Sequence, residues 1–468
     1  MLVITKAFNF LLVGTTRRVV SFTRSSHLEQ KITHAMASSV ASNAIGAPSN
    51  PFLDQAGLPK FSKFEPQYLL PAIDAQIDQM RAEFKSLEGS LVSSPKEEAC
   101  ENYDSIVPEL ERLQFPLSYT WGVAGHLNAV KNGDELRQAY ERAQPMVVKA
   151  FSELSQSRVL FDSLTHLKES METSHDFREQ QRRRAVEKSL KEMKLGGVGL
   201  DGENKERFNQ IKIRLSEIST KFSNNVLDST KAFSLTIHDA QKMVGVPSSA
   251  KNIWAQAYFA KNASATTSTS KEVDPDKGPW LVTLDGPSYI AAMQHINDRA
   301  IREQLYRAYL TRASDMENIQ ETNTSRNNVP LIQEILTLRL EAAKLLGFQN
   351  HAEQSLASKM ATSVNAVKEL SDLIAAKALP MAYAELDTIT SYAREHGGAE
   401  YSVESMPNGL MPWDITFWSE RYKENKFSLK EEDLLPYFSF EAVLSGLFSL
   451  VERIFGIEVK PADGDADV

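Results

Sequence analysis

Cysteine is almost absent from this sequence: Cys100 is the single one in 468 residues. One thiol excludes an internal disulfide framework and any cysteine-based metal cluster, and it fits a reducing or redox-indifferent compartment. Long apolar runs are missing as well. No stretch approaches the roughly 18 consecutive apolar residues of a membrane-spanning helix. Glycine (21) and proline (19) together make up under a tenth of the chain, which excludes collagen-like and low-complexity classes. Positive charge is also short, with 52 Lys and Arg against 61 Asp and Glu, a net of −9. A general nucleic-acid binder needs the opposite balance, because phosphate contacts come from a basic surface. What remains is ordinary for a soluble globular protein: 42% hydrophobic and 24% charged residues. At roughly 150 residues per unit the length suggests about three domain-sized units, enough to bury a large core without staples.

The first fifty residues differ in kind from the rest. They hold five basic side chains (Lys6, Arg17, Arg18, Arg24 and Lys31), one acidic (Glu29) and twelve Ser or Thr. The apolar stretch Phe8 to Gly14 is short and is followed, not preceded, by its arginines. This is the profile of an organelle transit peptide rather than a secretory signal, with mitochondrion ahead of plastid. Met36 offers a second start that would give a cytosolic form, and a plain N-terminal extension is the alternative. Without this segment the chain holds 47 basic and 60 acidic residues, a net of −13.

From Pro51 onward the dominant period is helical, so the fold class is expected to be mainly α. Phe208, Ile211, Leu215, Ile218 and Phe222 step by 3, 4, 3 and 4, which puts them on one helix face. Leu331, Ile335, Leu338, Ala342 and Leu345 form a second such stripe, with Gly347 placed to end that helix in a left-handed cap. Asn350 and Glu353 have the spacing of an N-cap and its third residue. A further helix starts near Ser363, with Val367, Leu370 and Ile374 on one side, and Pro380 predicts a kink or break in it. Strand signal is confined to the alternation Phe233, Leu235, Ile237 and the run Leu281 to Leu284, which reads as a small β insertion. The Ser/Thr-rich stretch from Ser264 and the Asp274 to Pro279 segment read as an exposed loop. No repeat of fixed length occurs, which argues against a regular solenoid.

Candidate chemistry is thin. Gly197, Gly199 and Gly202 satisfy G-x-G-x-x-G, but the charged helical segment before them is not the strand a dinucleotide site requires. The glycines read as a break between helices. Arg182, Arg183 and Arg184 could form an anion site; Glu179, Glu187 and Glu192 at helical spacing make a solvated, ion-paired face the simpler reading. No two of the nine histidines lie three or four residues apart, so no helix offers a two-histidine zinc face. His396 and Glu400 are four apart, but Gly397 and Gly398 between them point to a loop. His126 reads as a core or capping histidine. The sequons at Asn262 and Asn323 carry no weight without a secretory signal. Glu431, Glu432 and Asp433 sit where negative charge favours a helix start.

A family resemblance adds what composition and spacing do not. Asn50-Pro51-Phe52 followed by Lys60-Phe61 and Phe64 resembles the opening of the oligopeptidase A / thimet oligopeptidase family of zinc metallopeptidases. His126 to Asn132, Glu135-Leu136-Arg137 and Ala139-Tyr140-Glu141 are similar to the same family, as are Leu215-Ser216-Glu217 and Phe222 to Asp228. Tyr306 to Tyr309, Thr311 to Asp315, Leu346 to Asn350, Ser355 to Ala361, Pro412-Trp413-Asp414, Ser419-Glu420 and Pro436-Tyr437-Phe438 continue the match in order. Within the family the segments look most like bacterial-type oligopeptidase A and its organellar relatives.

The resemblance implies a two-lobed helical peptidase with a channel that admits short unstructured peptides, and no nucleic-acid or membrane partner. It implies an organisation of residues 51–290 as an N-terminal helical domain with a small β hairpin and 291–468 as the proximal, non-zinc part of the peptidase domain. It also implies one zinc held by His-Glu-x-x-His and a downstream Glu, the first Glu acting as base on a zinc-bound water. No His-Glu-x-x-His occurs in these 468 residues. On the family's pattern the chain stops before the zinc motif, so no catalytic or metal-binding residue is assigned, no bound zinc is expected, and no substrate-binding residue is named. The expected function is that of a peptide-degrading zinc metallo-endopeptidase that is inactive as this chain alone. The alternative is a non-catalytic helical module that binds peptides or a partner. Helices after about Leu434 are expected to expose apolar positions that the rest of the family fold covers, namely Leu444, Leu447, Leu450, Val451 and Ile454.

Overall fold

The structure, a computed structural model, describes residues 50–93, 103–171, 176–262, 274–317 and 326–461. The N-terminal fifty-residue segment, apart from Asn50, and the Ser/Thr-rich stretch at 264–270 therefore lie outside the described residues, as does Asn323.

Asn50 sets the start. Its side chain accepts from the Phe52 backbone N–H (3.0 Å) and donates to the Tyr68 carbonyl (2.8 Å), which pins the short turn Pro51–Leu53 against the chain ahead of it. Phe52 then stacks on Phe64 at 4.6 Å, and Thr120 donates to the Phe52 carbonyl. Five helices follow: α1 (Leu69–Ser93), α2 (Tyr103–Val130), α3 (Asp134–Ser155), α4 (Arg158–Ser170) and α5 (Phe177–Leu195). Their apolar stripes close one core around Phe52, Ile73, Met80, Leu117, Leu164 and Leu167. Helix α5 ends at the glycines: Gly197 takes φ +91° against the Phe208 ring, and Gly202 opens the next helix at φ +53°. The G-x-G-x-x-G spacing thus serves as a helix break. Arg182 forms a two-pronged ion pair with Asp104 and a second pair with Glu179, so it ties α5 to α2 rather than facing solvent.

Helix α6 (Gly202–Ala232) is 31 residues long and lays Phe208, Ile211 and Ile218 against Leu331, Leu338 and Ala342 of α10 (Val329–Leu345). The two apolar stripes read from the sequence therefore meet each other. Gly347 is left-handed (φ +84°) just past α10, and Asn350 caps α11 (His351–Leu356) by accepting from the Glu353 N–H at 3.0 Å.

Between α6 and α10, β1 (Ser234–Ile237) pairs antiparallel with β2 (Trp280–Thr283), Leu235 opposite Val282. Helix α7 (Ser248–Asn262) lies between them in sequence; α8 (Gly286–His295) and α9 (Arg299–Leu310) follow. The two strands are therefore not the small β hairpin expected but an antiparallel pair joined through a helix; they, α7, α8 and α9 share one core through Ile237, Trp254, Trp280, Val282 and Leu305, and Trp413 of α13 (Pro412–Phe427) joins it. A fourth core gathers Ile389, Ala393, Tyr401, Phe417 and Trp418.

Two local readings are narrowed by the structure. Of the kink or break expected at Pro380 the break does not occur: helix α12 continues from Val364 to His396, as α2 does through Pro108 and Pro116. A proline removes one backbone donor and crowds one carbonyl, which a long helix absorbs without ending. The segment around His396 is not a loop: His396 is the last residue of α12, its ring stacked on Tyr392 at 4.1 Å, and Gly398–Tyr401 form a 3₁₀ turn. Gly397 sits where a Cβ would meet the Ala393 carbonyl at 2.6 Å, so the glycine is a packing requirement at the helix end. Helix α14 (Phe440–Phe455) closes the described chain.

Candidate functional site

The segments that carry the family resemblance meet in space at three polar junctions. The first joins α3 to α6. Arg137 makes a two-pronged ion pair with Asp228 (2.8 and 2.9 Å), and Asn224 donates to Glu141 at 3.1 Å. The Arg137 guanidinium holds the Asp228 carboxyl below the usual carboxylate range. Towards the other end of the same helix pair, Lys212 donates to Ser152 at 2.7 Å, and burial pulls its ammonium pKa down. Ser152 is itself buried, with its hydroxyl on the Val148 carbonyl, so the pair is an interhelical contact rather than a presented nucleophile.

The second junction follows α9. Ala313 has a left-handed backbone (φ +52°), strained for a residue with a Cβ. Three contacts fix it: its N–H donates to Ser229 Oγ and Glu317 Oε2, and its carbonyl accepts from the Asn328 N–H at 2.8 Å. Asn328 in turn donates to the Phe222 carbonyl and accepts from Asn225. Arg312 lies over the Tyr309 ring at 3.7 Å, which itself stacks on Tyr289 at 4.1 Å.

The third junction is the most deeply buried. Arg302 of α9 and Asp414 of α13 are both 0% exposed. Arg302 uses all five of its donors: Nε to the Trp413 carbonyl, Nη1 to the carbonyls of Ile296 and Asn297, and Nη2 to Tyr401 Oη (2.7 Å) and Asp414 Oδ1 (3.1 Å). Arg299 adds a two-pronged pair with Asp414, and Tyr401 donates to the same carboxylate at 3.2 Å. Burial pushes the Tyr401 phenol up. With its hydrogen-bonding capacity engaged, this cluster is a joint between α9, α13 and the turn after α12. The sequence reading contained Trp413-Asp414 but not its partner Arg302. The available signal was the i, i+3 pair Arg299 and Arg302 on an otherwise apolar helix face.

A groove of about 630 Å³ lies elsewhere, lined by Leu58, Pro59, Phe61, His126, Leu127 and Val130. His126 is not a core or capping residue. It is exposed, its ring tilted against Phe61 at 5.4 Å. Leu127 takes the buried position beside it.

Among the described residues no three or more His, Cys, Asp or Glu side chains converge as metal ligands. The histidines lie apart: His166 near Glu169, His238 near Tyr258, His351 near Gln354, and His396 on Tyr392. The described residues do not fit a zinc site.

Residues 73–205 match the profile of the neurolysin/thimet oligopeptidase N-terminal domain, and residues 292–468 match that of peptidase family M3. The chain is 40% identical over 420 residues to the probable cytosolic oligopeptidase A of Arabidopsis thaliana, covering 90% of this chain and 55% of that protein. It is 39% identical over 420 residues to the organellar oligopeptidase A, chloroplastic/mitochondrial, of the same plant, covering 90% of this chain and 49% of that protein. The oligopeptidase A of Escherichia coli strain K12 is 34% identical over 421 residues, with 90% and 57% coverage.

The chain belongs to peptidase family M3. It spans about half the length of the curated relatives it matches. Within the M3 match, Arg302, Asp414 and Tyr401 form the best-connected polar cluster described above, and their geometry assigns them to holding the fold. The M3 segment also contains the largest uncovered apolar faces. Leu447, Leu450 and Ile454 of α14 are exposed, while Leu444 and Val451 are half-buried.

Proposed function

We propose that this chain supplies the N-terminal and proximal peptidase portions of a zinc metallo-endopeptidase that degrades short unstructured peptides, cleaved targeting peptides among them. The observation that carries the reading is the match at 40% identity along 90% of the chain to an oligopeptidase A. The proposed division is residues 51–290 as the N-terminal helical domain and 291–468 as part of the peptidase domain, in keeping with the two profile matches at 73–205 and 292–468. The absence of His-Glu-x-x-His from the sequence supports the view that this chain alone does not activate water.

The test is complementation. Joining the chain to the unmatched remainder of the Arabidopsis thaliana cytosolic relative is expected to give cleavage of a quenched fluorescent peptide that o-phenanthroline abolishes. The chain alone is expected to give neither cleavage nor about one zinc per molecule by metal analysis. A folded fusion without activity, or chelator-sensitive cleavage by the chain alone, would sink the reading.

Residues 1–50 are proposed to direct the protein to an organelle, mitochondrion before plastid. A relative with organellar oligopeptidase A in its name supports this, alongside the basic, hydroxyl-rich composition. Fusion of residues 1–50 to a fluorescent protein is expected to place it in mitochondria; a diffuse cytosolic signal would refute the address. The second reading, a helical module that takes a partner, is favoured by the uncovered faces of α12 and α14.

A further inference from the structure

The sequence holds two Asn-Gly steps, Asn132-Gly133 and Asn408-Gly409. Such a step is chemically reactive. The side-chain amide carbon of asparagine, Cγ, lies one methylene beyond Cα, so the amide nitrogen of the next residue can close a five-membered ring on it. Glycine puts no side chain in the way of that approach and lets the backbone rotate into it. The two steps are equal in sequence, and the structure makes them unequal. Asn132 is tied down. Its Nδ2 donates to the Asn128 carbonyl at 2.9 Å, its Oδ1 accepts from Arg137 Nη2 at 2.5 Å, and the residue is half-buried. Arg137 is itself anchored by its two hydrogen bonds to Asp228. Both ends of the Asn132 carboxamide are therefore held, and turning Cγ onto the Gly133 nitrogen breaks a charge-assisted hydrogen bond.

Asn408 can turn. It is exposed, it lies in the reverse turn that the Met406 carbonyl and the Gly409 N–H close, and among the described residues nothing hydrogen-bonds its side chain. Gly409 has a left-handed backbone (φ +84°), and its N–H meets the Met406 carbonyl at 3.2 Å. A single hydrogen bond across a surface turn opens at low cost. A Cβ placed on Gly409 would come no nearer than 3.9 Å to the Thr390 side chain, so little crowds the position.

We propose that Asn408 is a site of spontaneous covalent modification, at which the folded chain deamidates while Asn132 is protected. The Gly409 nitrogen attacks Asn408 Cγ and forms a C–N bond. The Cγ–Nδ2 bond breaks, and Nδ2 leaves as ammonia with the proton that the Gly409 nitrogen gives up. Water then opens the cyclic imide. Hydrolysis at Cγ gives aspartate; hydrolysis at the main-chain carbonyl gives isoaspartate, in which the backbone runs through Cβ and Cγ and is one atom longer. Water is the only co-reactant. The position gives the change a consequence. Upstream of the turn Met406 is buried with its sulfur 3.7 Å from Arg299 Nη2, and downstream the Met411 N–H donates to Asp414 at 3.3 Å. Residues 407–410 thus run between two contacts of the buried Arg302–Asp414 joint. A new carboxylate and a longer backbone there loosen the entry to α13. The inference goes beyond the peptidase reading and stands whether or not that reading holds.

The experiment is storage of the purified full chain in mildly alkaline buffer, with its proteolytic fragments followed by mass spectrometry and isoaspartate detected by isoaspartyl methyltransferase labelling. The fragment bearing Asn408 is expected to exchange its side-chain amide for a carboxyl at least about tenfold faster than the one bearing Asn132, the factor supplied by one charge-assisted hydrogen bond lost on the way to the transition state. In denaturant the two fragments are expected to convert at comparable rates, because the reacting Asn-Gly step is then the same in both. Asn408→Gln, whose longer side chain would have to close a six-membered ring, is expected to abolish conversion there and to leave Asn132 as it was. Hydrogen exchange in the first turn of α13 is expected to quicken in the stored unmodified chain and not in stored Asn408→Gln. Equal rates in the folded chain, faster loss at Asn132, or the same difference persisting in denaturant would overturn the proposal. Unchanged exchange in α13 after Asn408 has converted would overturn its link to the joint.

Discussion

Replacing Asp414 by Asn is expected to destabilise the packing of α9 on α13 by about 3–5 kcal/mol, the cost of leaving a buried charge without its partner. The substitution keeps the shape of the side chain and removes only its charge. Arg302 is fully buried and cannot turn to water, and Arg299 loses the carboxylate it grips through Nε and Nη2. Removing the cation is expected to cost less. After Arg302→Met, Asp414 still has Arg299, Tyr401 and the Met411 N–H, and the methionine fills the slot against Phe417 where the guanidinium lies 4.1 Å from the ring. The double variant is expected to be less damaged than the sum of the singles, with a coupling of roughly 1–3 kcal/mol for residues in one network. Native-state hydrogen exchange of α9 and α13 measures this directly and does not assume that so long a chain unfolds in one step. If Asp414→Asn cost under about 1 kcal/mol in those helices, the cluster would be a surface-type pair of the kind worth little, and its role as the joint would be lost.

This junction shows where sequence reading succeeds and where it stops. The periodic elements were legible because periodicity is local: the stripes of α6 and α10 follow from steps of three and four, and the Asn350 cap from a spacing of three. The β insertion was legible for the same reason, since Phe233, Leu235 and Ile237 alternate at period two. Pro380 does not break α12, because the proline rule describes the local backbone, while the rest of a 33-residue helix decides whether that loss ends it. His126 misled because its residue type does not fix which side of α2 it takes: Leu127 is buried and His126 looks out. Arg302 was invisible because its partner lies 112 residues away and no local pattern links them. The resemblance placed Trp413-Asp414 in a motif without saying what the aspartate holds. Uncovered apolar residues on α14 were expected from the resemblance, whereas those on the first half of α12 were read as an ordinary stripe. Periodicity identifies an apolar face but not whether anything lies against it.

Replacing Trp254 by Ala is expected to cost about 3–5 kcal/mol in the core beneath the two strands, as for other large aromatics removed from fully packed sites. Trp254 is 1% exposed and packs from α7 into the core it shares with β2 and α8. Its Nε1 donates to Ser288 Oγ at 2.9 Å, and the same oxygen accepts from the Thr283 N–H at 3.0 Å, so one hydroxyl joins the tryptophan, the end of β2 and the first turn of α8. That arrangement separates packing from hydrogen bonding. Trp254→Phe retains most of the ring and leaves Ser288 with one donor fewer, an expected loss of about 1–2 kcal/mol. Ser288→Ala removes almost no volume but strands two buried donors, Trp254 Nε1 and Thr283 N, an expected loss of about 2–4 kcal/mol from two unsatisfied groups. The predicted order is therefore Trp254→Ala, then Ser288→Ala, then Trp254→Phe, read as lost exchange protection in Ser234–Ile237 and Trp280–Thr283. A two-stranded ribbon is marginal by itself in water, so its amides report whether the helical core beneath holds it. Unchanged strand protection in Trp254→Ala would mean that the ribbon stands without α7. The shared hydroxyl would then be an incidental contact rather than the point where strand and helices are joined.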